Sequence, residues 1–369
     1  MATVERRVSD RTGKTVYVVR YRTPERASRQ KTFKLRRDAD RFVTSIESSK
    51  MTGAFVDPAR QEVSVADWCD KWLAAKTNIG PKTRERYEGI LSAQIRPRWS
   101  TVKLKDVRHA DVQTWLAGLD LAPASVRKVH RVLSQAMDFA VKDGRLAVNP
   151  ASGVSLPRVE STEKPFLSHE QVAELAKRCG PGDGLIVTFL AYTGLRWGEM
   201  AALRVKRLDF LRRRIVIAES VTPVKGVMTF GPTKGHERRE VPMPRFLAAD
   251  LSRLVDGKGP DDLVFTGERG APMRSQAFQR RSLTAASTAM GLEGFTPHEL
   301  RHSAASLAIA SGADVKVVQT MLGHKSATMT LDLYGHLFGD RLDVVADAMD
   351  VARTEALSKP RVGNVLKLA

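Results

Sequence analysis

Arg196, Lys234, His298, Arg301, His324 and Tyr334 follow one another through the second half of this 369-residue chain. Together they supply two guanidinium groups, an ammonium, two imidazoles and a phenol, the inventory needed to break and rejoin a phosphodiester through a phosphotyrosine. A covalent phosphotyrosine keeps the energy of the broken bond, so rejoining requires neither ATP nor a metal. A phenol with a pKa of about 10 is a poor nucleophile at neutral pH, and its neighbours must assist it. The pentavalent phosphate spreads negative charge over its non-bridging oxygens, which planar guanidinium groups can hold in a bidentate manner. Arg196 and Arg301 are the candidates for that role.

Each candidate sits in a local pattern that says how it could be held. In AYTGLRWGE, Gly194 marks a turn and the residues after it resume a helix, with Glu199 placed to orient Arg196. A plain helix salt bridge is the ordinary alternative for that pair. The segment TPHELRH opens with a capping box, Thr296 to Glu299, and carries Pro297 at the first helical position. His298 and Arg301 therefore lie one turn apart near the positive end of a helix, a setting that suits phosphate. His298 suits either the tyrosine proton or a phosphate oxygen, and His302 is expected to pack or hydrogen-bond within its domain. Lys234 falls in a Gly- and Pro-bounded turn between a strand ending near Phe230 and a strand at Arg239 to Val241, with Lys225 in the preceding turn as its competitor. His324 occupies the turn LGH between two short helices, and Tyr334 is the tyrosine that lies beside imidazoles, between His324 and His336.

The elements that must position these groups begin with a basic segment. Residues 1 to 60 hold 15 Lys and Arg against 7 Asp and Glu, or +8 of a formal net charge of +19. Such an excess points to a polyanionic partner, and its concentration marks the amino-terminal segment as a dedicated contact. TVYVVRYR, residues 15 to 22, alternates apolar and polar side chains and Gln30 to Leu35 repeats the pattern, which predicts two paired strands. Helical spacing of Ala39, Phe42, Val43 and Ile46 follows. After a linker at Gly53 to Glu62 come helical stretches at Val65 to Ala75, Thr83 to Ile95, Asp106 to Leu116 and Ala124 to Val141, with Ser64, Pro81 and Pro123 as start signals. Val154 to Pro165 reads as a hinge, and helices around a three-stranded basic sheet between about Arg214 and Pro242 complete the chain. Two isolated cysteines, Cys69 and Cys179, indicate neither a zinc cluster nor a disulfide framework. The sequence carries no signal peptide and no long apolar run, which leads us to expect a cytoplasmic, nucleoid-associated protein without membrane contact.

The boxes TGLRWGE, PTKGHERREVP, TPHELRHSAAS, LGHKS and TLDLYGH resemble those of the tyrosine recombinases, and of the phage integrases among them. The resemblance implies a multidomain α+β fold: a small sheet-plus-helix arm-binding domain at residues 1–57, an all-helical core-binding domain at 63–153, a mainly helical catalytic domain with a small antiparallel sheet at 166–352, and a tail at 353–369. It implies that Tyr334 is the nucleophile, that Lys234 is the general acid for the leaving 5′ oxygen, and that His324 bonds the phosphate. No cofactor and no metal are implied. Double-stranded DNA, at core and arm attachment sites, is the implied partner of a homo-tetramer, with an accessory DNA-bending protein and an excision factor as further partners. The cations expected to meet DNA are Arg20, Arg22, Lys31, Lys34, Arg36 and Arg37 in the first module, and Lys82, Arg84, Arg127, Lys128 and Arg131 in the second.

Rival readings come from other classes. HELRH, residues 298 to 302, satisfies the HExxH pattern of zinc peptidases. The helix starts at the first histidine instead of running through the motif, however, an Arg takes an inner position, and no third ligand follows at a family spacing. Two more rivals are a catalytically silent DNA-binding regulator of the same fold and a nicking-and-relaxing topoisomerase. The intact boxes speak against the regulator, and the separate arm-binding module speaks against the topoisomerase.

Overall fold

Alternation in TVYVVRYR makes β2 (Thr15–Arg22) the centre of an antiparallel sheet flanked by β1 (Thr3–Val8) and β3 (Ser28–Phe33). The molecule is described by a computed structural model covering residues 2–8, 13–23, 26–51, 55–159, 165–233, 238–338 and 342–358. Its first strand is an addition to the two expected from sequence. TVERRV sets three charged residues in succession and is exposed along its whole length, so it carries no buried-face signal. Tyr17, Val19 and Tyr21 share one face of β2 and close a small core with Ala39, Phe42 and Ile46 of α1 (Arg36–Met51). Arg20 and Arg22 project from the opposite face and are exposed.

Strand register separates Lys31 from that pair. It lies opposite Val19, so it shares the helix side of the sheet, where its ammonium stands 4.6 Å from the Phe42 ring centroid. Lys34, Arg36 and Arg37 are exposed where β3 passes into α1.

The helical part of this first unit, which spans Met1–Ser161, follows its start signals closely. In α2 (Val65–Ala75) the Ser64 side chain accepts from the Asp67 N–H, and Pro81 and Pro123 open α3 (Pro81–Ile90) and α6 (Pro123–Lys142). The helix expected to end at Ile95 continues through a π turn at Leu91–Ile95 into α4 (Arg96–Trp99). Pro97 has no N–H for an ordinary helical bond, and the register widens just before it. With α5 (His109–Ala117) these helices bury a core of Trp68, Trp72, Leu91, Ile95, Trp99, Leu133 and Met137. Arg127, Lys128 and Arg131 lie on the exposed face of α6. Arg84, one of the expected DNA contacts, also has a structural task. Its two terminal nitrogens donate to Leu73 O at 3.1 Å and Lys76 O at 2.7 Å, closing the carbonyl end of α2. Lys82 pairs with Glu85 at 3.0 Å.

The second unit, Thr162–Ala369, opens with α7 (His169–Cys179), α8 (Pro181–Thr193) and the short α9 (Trp197–Ala201). The single three-stranded sheet expected near residues 214 to 242 is two sheets. β4 (Leu208–Asp209), β5 (Arg214–Ile217) and β8 (Arg239–Pro242) form one, and β6 (Glu219–Val224) with β7 (Val227–Pro232) form a separate hairpin. Lys225 and Gly226, at φ of 47° and 83°, make the tight turn of that hairpin. β7 pairs with β6 and β8 with β5, so β7 and β8 are not partners in one hairpin. Lys234, expected in the turn between them, lies outside the described residues.

Helices α10 (Arg245–Leu254), α11 (Ser275–Phe278), α12 (Thr284–Thr288), α13 (Pro297–Ala310), α14 (Val315–Leu322), α15 (Ala327–Tyr334) and α16 (Leu342–Ser358) complete the unit. Its core gathers Phe189, Leu190, Val264, Phe265, Phe278 and Leu300. The last helix carries the chain into the expected tail as far as Ser358, while GNVLKLA lies outside the described residues. Among the described residues no helix is long and apolar enough to cross a membrane.

Candidate active site

Two left-handed glycines shape the site. Gly194, at φ 65°, ends α8 and releases the chain to Arg196, the N-cap of α9. Gly323, at φ 64°, ends α14 and turns the chain to His324. Only glycine adopts this conformation without cost, and space is also short. A Cβ on Gly194 would come within 2.8 Å of Leu322 Cδ2, and one on Gly323 within 3.1 Å of the Arg239 side chain.

Between the two turns runs α13, whose Thr296–Glu299 capping box forms as expected. Arg301, on its second turn and only 3% exposed, donates from Nη1 to Gly194 O at 2.6 Å and from Nη2 to Leu322 O at 2.5 Å. One guanidinium therefore ties three segments together. These two bonds use two of its five N–H donors. Burial, and then the charge of Arg196, pulls its pKa down to about 9, so it remains a cation at neutral pH.

Glu199 is the counterion of the cluster. Its carboxylate, 2% exposed, receives Arg239 through Nη1 at 3.0 Å and Nη2 at 2.6 Å, and Arg196 through Nη1 at 3.0 Å and the backbone N–H at 3.0 Å. Burial opposes ionisation of this carboxyl, but the bonds and charge of Arg239, followed by those of Arg196, hold it below the usual range. Three arginines around one carboxylate leave the pocket electropositive. The cavity beside them measures about 380 Å³ and is lined by Arg196, Arg239, Arg238, Lys316, Lys325 and His324, with Glu240 as its one acidic group among the described residues.

The phenol lies at the other side of Arg301. Tyr334 closes α15, is 1% exposed, and makes a hydrogen bond of 2.7 Å between its hydroxyl and His302 Nδ1. Burial pushes its pKa up to about 12 against the opposing charge of Arg301. His324 lies parallel to the Tyr334 ring with centroids 6.5 Å apart, and its Nδ1 meets Thr330 Oγ1 at 3.0 Å. Its pKa falls to about 4 through burial and then the charges of Arg301 and Arg196, which keeps it neutral at pH 7. His298 is exposed at the start of α13 and meets the His302 ring edge-on at 5.1 Å. Glu299 faces back to cap Thr296, so the HExxH residues are employed in ways foreign to a zinc peptidase.

The chain matches the Phage integrase family over residues 165–340 and the N-terminal SAM-like domain of phage integrases over residues 64–119. It is 31% identical over 313 residues to the tyrosine recombinase XerC of Mycobacterium leprae, an alignment covering 77% of this chain and 98% of that protein. The chain belongs to the phage integrase family of tyrosine recombinases. It is a site-specific recombinase, an enzyme that cleaves and joins DNA. The recombinase is also 25% identical over 310 residues to the integrase of Mycobacterium phage L5, with 82% of this chain and 80% of that one covered. Its fold is that of the Tn1549 transposon integrase solved with transposon right end DNA (TM-score 0.66, 21% identity, covering 79% of this chain and 100% of that one). It is likewise that of a lambda integrase tetramer solved on a Holliday junction (TM-score 0.60, 20% identity, 88% and 96% covered).

Within the recombinase, Arg196, Glu199, Arg301, His324 and Tyr334 converge, while His298 stands at the rim. Sequence reasoning missed Arg239, whereas His302 hydrogen-bonds within its domain as expected, with Tyr334 as the partner that the sequence did not name. The signal for Arg239 was strand parity: it points the same way as Val241, which is fully buried, and an inward arginine needs a carboxylate. His302 sits beside Arg301 on α13, one turn from Ala305, and no local pattern reveals that α15 brings a phenol to it.

Proposed function

We propose that the recombinase cuts one strand of an attachment site by attack of Tyr334 on the scissile phosphate, giving a 3′ phosphotyrosine and a free 5′ hydroxyl. Arg196 and Arg301 hold the non-bridging oxygens, neutral His324 donates to one of them, and Lys234 protonates the leaving 5′ oxygen. His298 manages a proton or a phosphate oxygen at the rim. Exchange of strands through a four-way junction within a homo-tetramer then integrates or excises a mobile element. The observation that carries this reading is that Arg196, Arg301, His324 and Tyr334 come together from separate segments, with Arg196 and His324 lining the cavity beside the buried Arg301 and Tyr334.

In the same reading, residues 1–57 bind arm sites, 63–153 grip the core site, 166–352 perform the chemistry and 353–369 couple neighbouring protomers. The lambda integrase tetramer on a Holliday junction, a protein of this fold, supports the tetrameric assembly. A DNA-bending protein and an excision factor set the direction of reaction, and the site of action is the nucleoid of a bacterial cytoplasm.

The test uses nicked suicide duplexes taken from DNA flanking the coding region, incubated in EDTA with wild-type protein or Tyr334→Phe. A covalent protein–DNA adduct that survives EDTA and vanishes in Tyr334→Phe is the expected result. Sequence-specific binding without any adduct would instead favour the silent DNA-binding regulator.

A further inference from the structure

Among the described imidazoles of the catalytic unit, the one that meets the phenolic oxygen belongs to a residue outside the six that the sequence motifs single out. His302 Nδ1 lies 2.7 Å from Tyr334 Oη, and the two ring centroids are 5.7 Å apart. Other histidines near the phenol are arranged differently. His324 is parallel to the Tyr334 ring at 6.5 Å, a stacked disposition, and its Nδ1 faces Thr330 Oγ1. His298 touches the edge of His302, and His336 lies against Phe166, with ring centroids 5.9 Å apart. With the phenol as donor in this bond, His302 accepts at Nδ1 and carries its own proton on Nε2. That tautomer is the one a proton acceptor needs.

We propose that His302 is the general base for Tyr334, taking the phenolic proton at Nδ1 as the oxygen attacks phosphorus and returning it when the strand is rejoined. The inference rests on the reading of Tyr334 as nucleophile. In the forward step the Tyr334 Oη–P bond forms and the P–O5′ bond breaks, with its electron pair leaving on the 5′ oxygen. The phenolic proton goes to His302, which becomes an imidazolium. The 5′ oxygen receives a separate proton from the acid, assigned above to Lys234. Rejoining reverses both transfers, so no proton is consumed over the cycle. Among the described residues, the charged and titratable groups around His302 include His298 and Arg301 on its own helix, Tyr334 on α15, and His324 from the turn before α15. Arg301, fixed between two carbonyls, favours the phenolate as it forms.

A purely structural bond would anchor the phenol without taking its proton, and three measurements separate the two roles. The first is single-turnover cleavage of the suicide duplex by His302→Asn, which can accept a hydrogen bond but not a proton, and by His302→Ala. General-base loss predicts that both fall by about 100-fold or more. Their rates should also climb about tenfold per pH unit between about pH 7 and 9 as hydroxide takes over, while wild type levels off. The second replaces Tyr334 with 3,5-difluorotyrosine, whose more acidic phenol should restore the His302 variants by at least about tenfold relative to its effect on wild type. The third uses a 5′-bridging phosphorothiolate, whose leaving group needs no acid. It should relieve Lys234→Ala and leave the His302→Asn defect in place.

Activity of the His302→Asn variant near wild type, or a loss indifferent to pH and to phenol acidity, overturns the base assignment while leaving the nucleophile reading intact. Absence of a Tyr334-dependent adduct from wild-type protein removes both. Should His302→Ala fail to fold, the asparagine variant and the fluorotyrosine series in wild-type protein still decide the matter.

Discussion

Glu199 and Arg239 show how a buried charge pair can fix the guanidinium of Arg196. The carboxylate is almost wholly enclosed and holds two arginines, so its net effect is to fix guanidinium geometry. Removing one partner of such a pair strands the other charge and typically costs about 3–5 kcal/mol. Arg239→Met should lie near the lower end, since Arg196 still pairs with Glu199. Urea unfolding would measure this, and Glu199→Gln in the same background should recover part of the loss. Equal stability of Arg239→Met and wild type would refute the role. His324 yields a pH prediction with a definite sign. Unfolded, the imidazole titrates near 6.5, and folded it is held down to about 4. Between these values the unfolded chain binds a proton that the folded chain does not. Its contribution to stability is therefore whole above pH 6.5 and is lost as pH falls toward 4. Wild-type stability should decline more steeply across that window than His324→Gln, and parallel curves would exclude the effect. At this scale the side chains that come together were legible because their types and boxes are local, whereas the contacts of Arg239 and His302 depend on strands and helices distant in the chain.

Elements were legible where their ends carry their own chemistry. Ser64, Pro81, Pro123 and the Thr296–Glu299 box each begin a helix where expected, because a cap is satisfied by its immediate neighbours. The split of the expected sheet was not legible, since which strand pairs with which is decided by packing. Both β5 and β6 present an apolar residue to the core in a similar alternation, yet they belong to different sheets. The two glycine turns join element to site. Gly194→Ala would force a left-handed alanine, costing about 1–2 kcal/mol, and would press Leu322 Cδ2 at 2.8 Å. Since Gly194 O and Leu322 O are the carbonyls that hold Arg301, the damage should reach the chemistry. We expect destabilisation in urea together with a cleavage rate reduced by at least about tenfold, the equivalent of about 1.4 kcal/mol in the barrier. A variant that loses stability but cleaves at the wild-type rate would show that the Arg301 tether is not needed for catalysis.

The whole molecule spreads its charge unevenly, and this uneven distribution is the basis for separating two modes of DNA binding. Residues 1 to 60 carry +8 of the +19, while the core of the helical segment from Val65 onward is built without them. The outer sheet face offers Arg20 and Arg22, and the turn into α1 offers Lys34, Arg36 and Arg37, all exposed. Ion pairs on that turn, Arg36 with Asp40 at 3.6 Å and Arg37 with Asp38 at 3.8 Å, are long and exposed, so phosphate can displace them at little cost. If these five cations each neutralise a phosphate of an arm site, log K should fall with log salt more steeply by about 0.9 per contact, or about 4.5 in all. Neutralising all five to alanine, or deleting residues 1–57, should flatten the slope by that amount on a fragment carrying arm and core sites. On a fragment with the core site alone, neither change should alter the slope or the rate of Tyr334 adduct formation. Equal flattening on both fragments would mean that the amino-terminal cations track core DNA, and the arm-binding assignment would fall. The sequence made the charge excess plain, but only the strand register shows that Lys31 faces the helix while Arg20 and Arg22 face outward, so the same experiment with Lys31→Ala alone should leave the slope nearly unchanged.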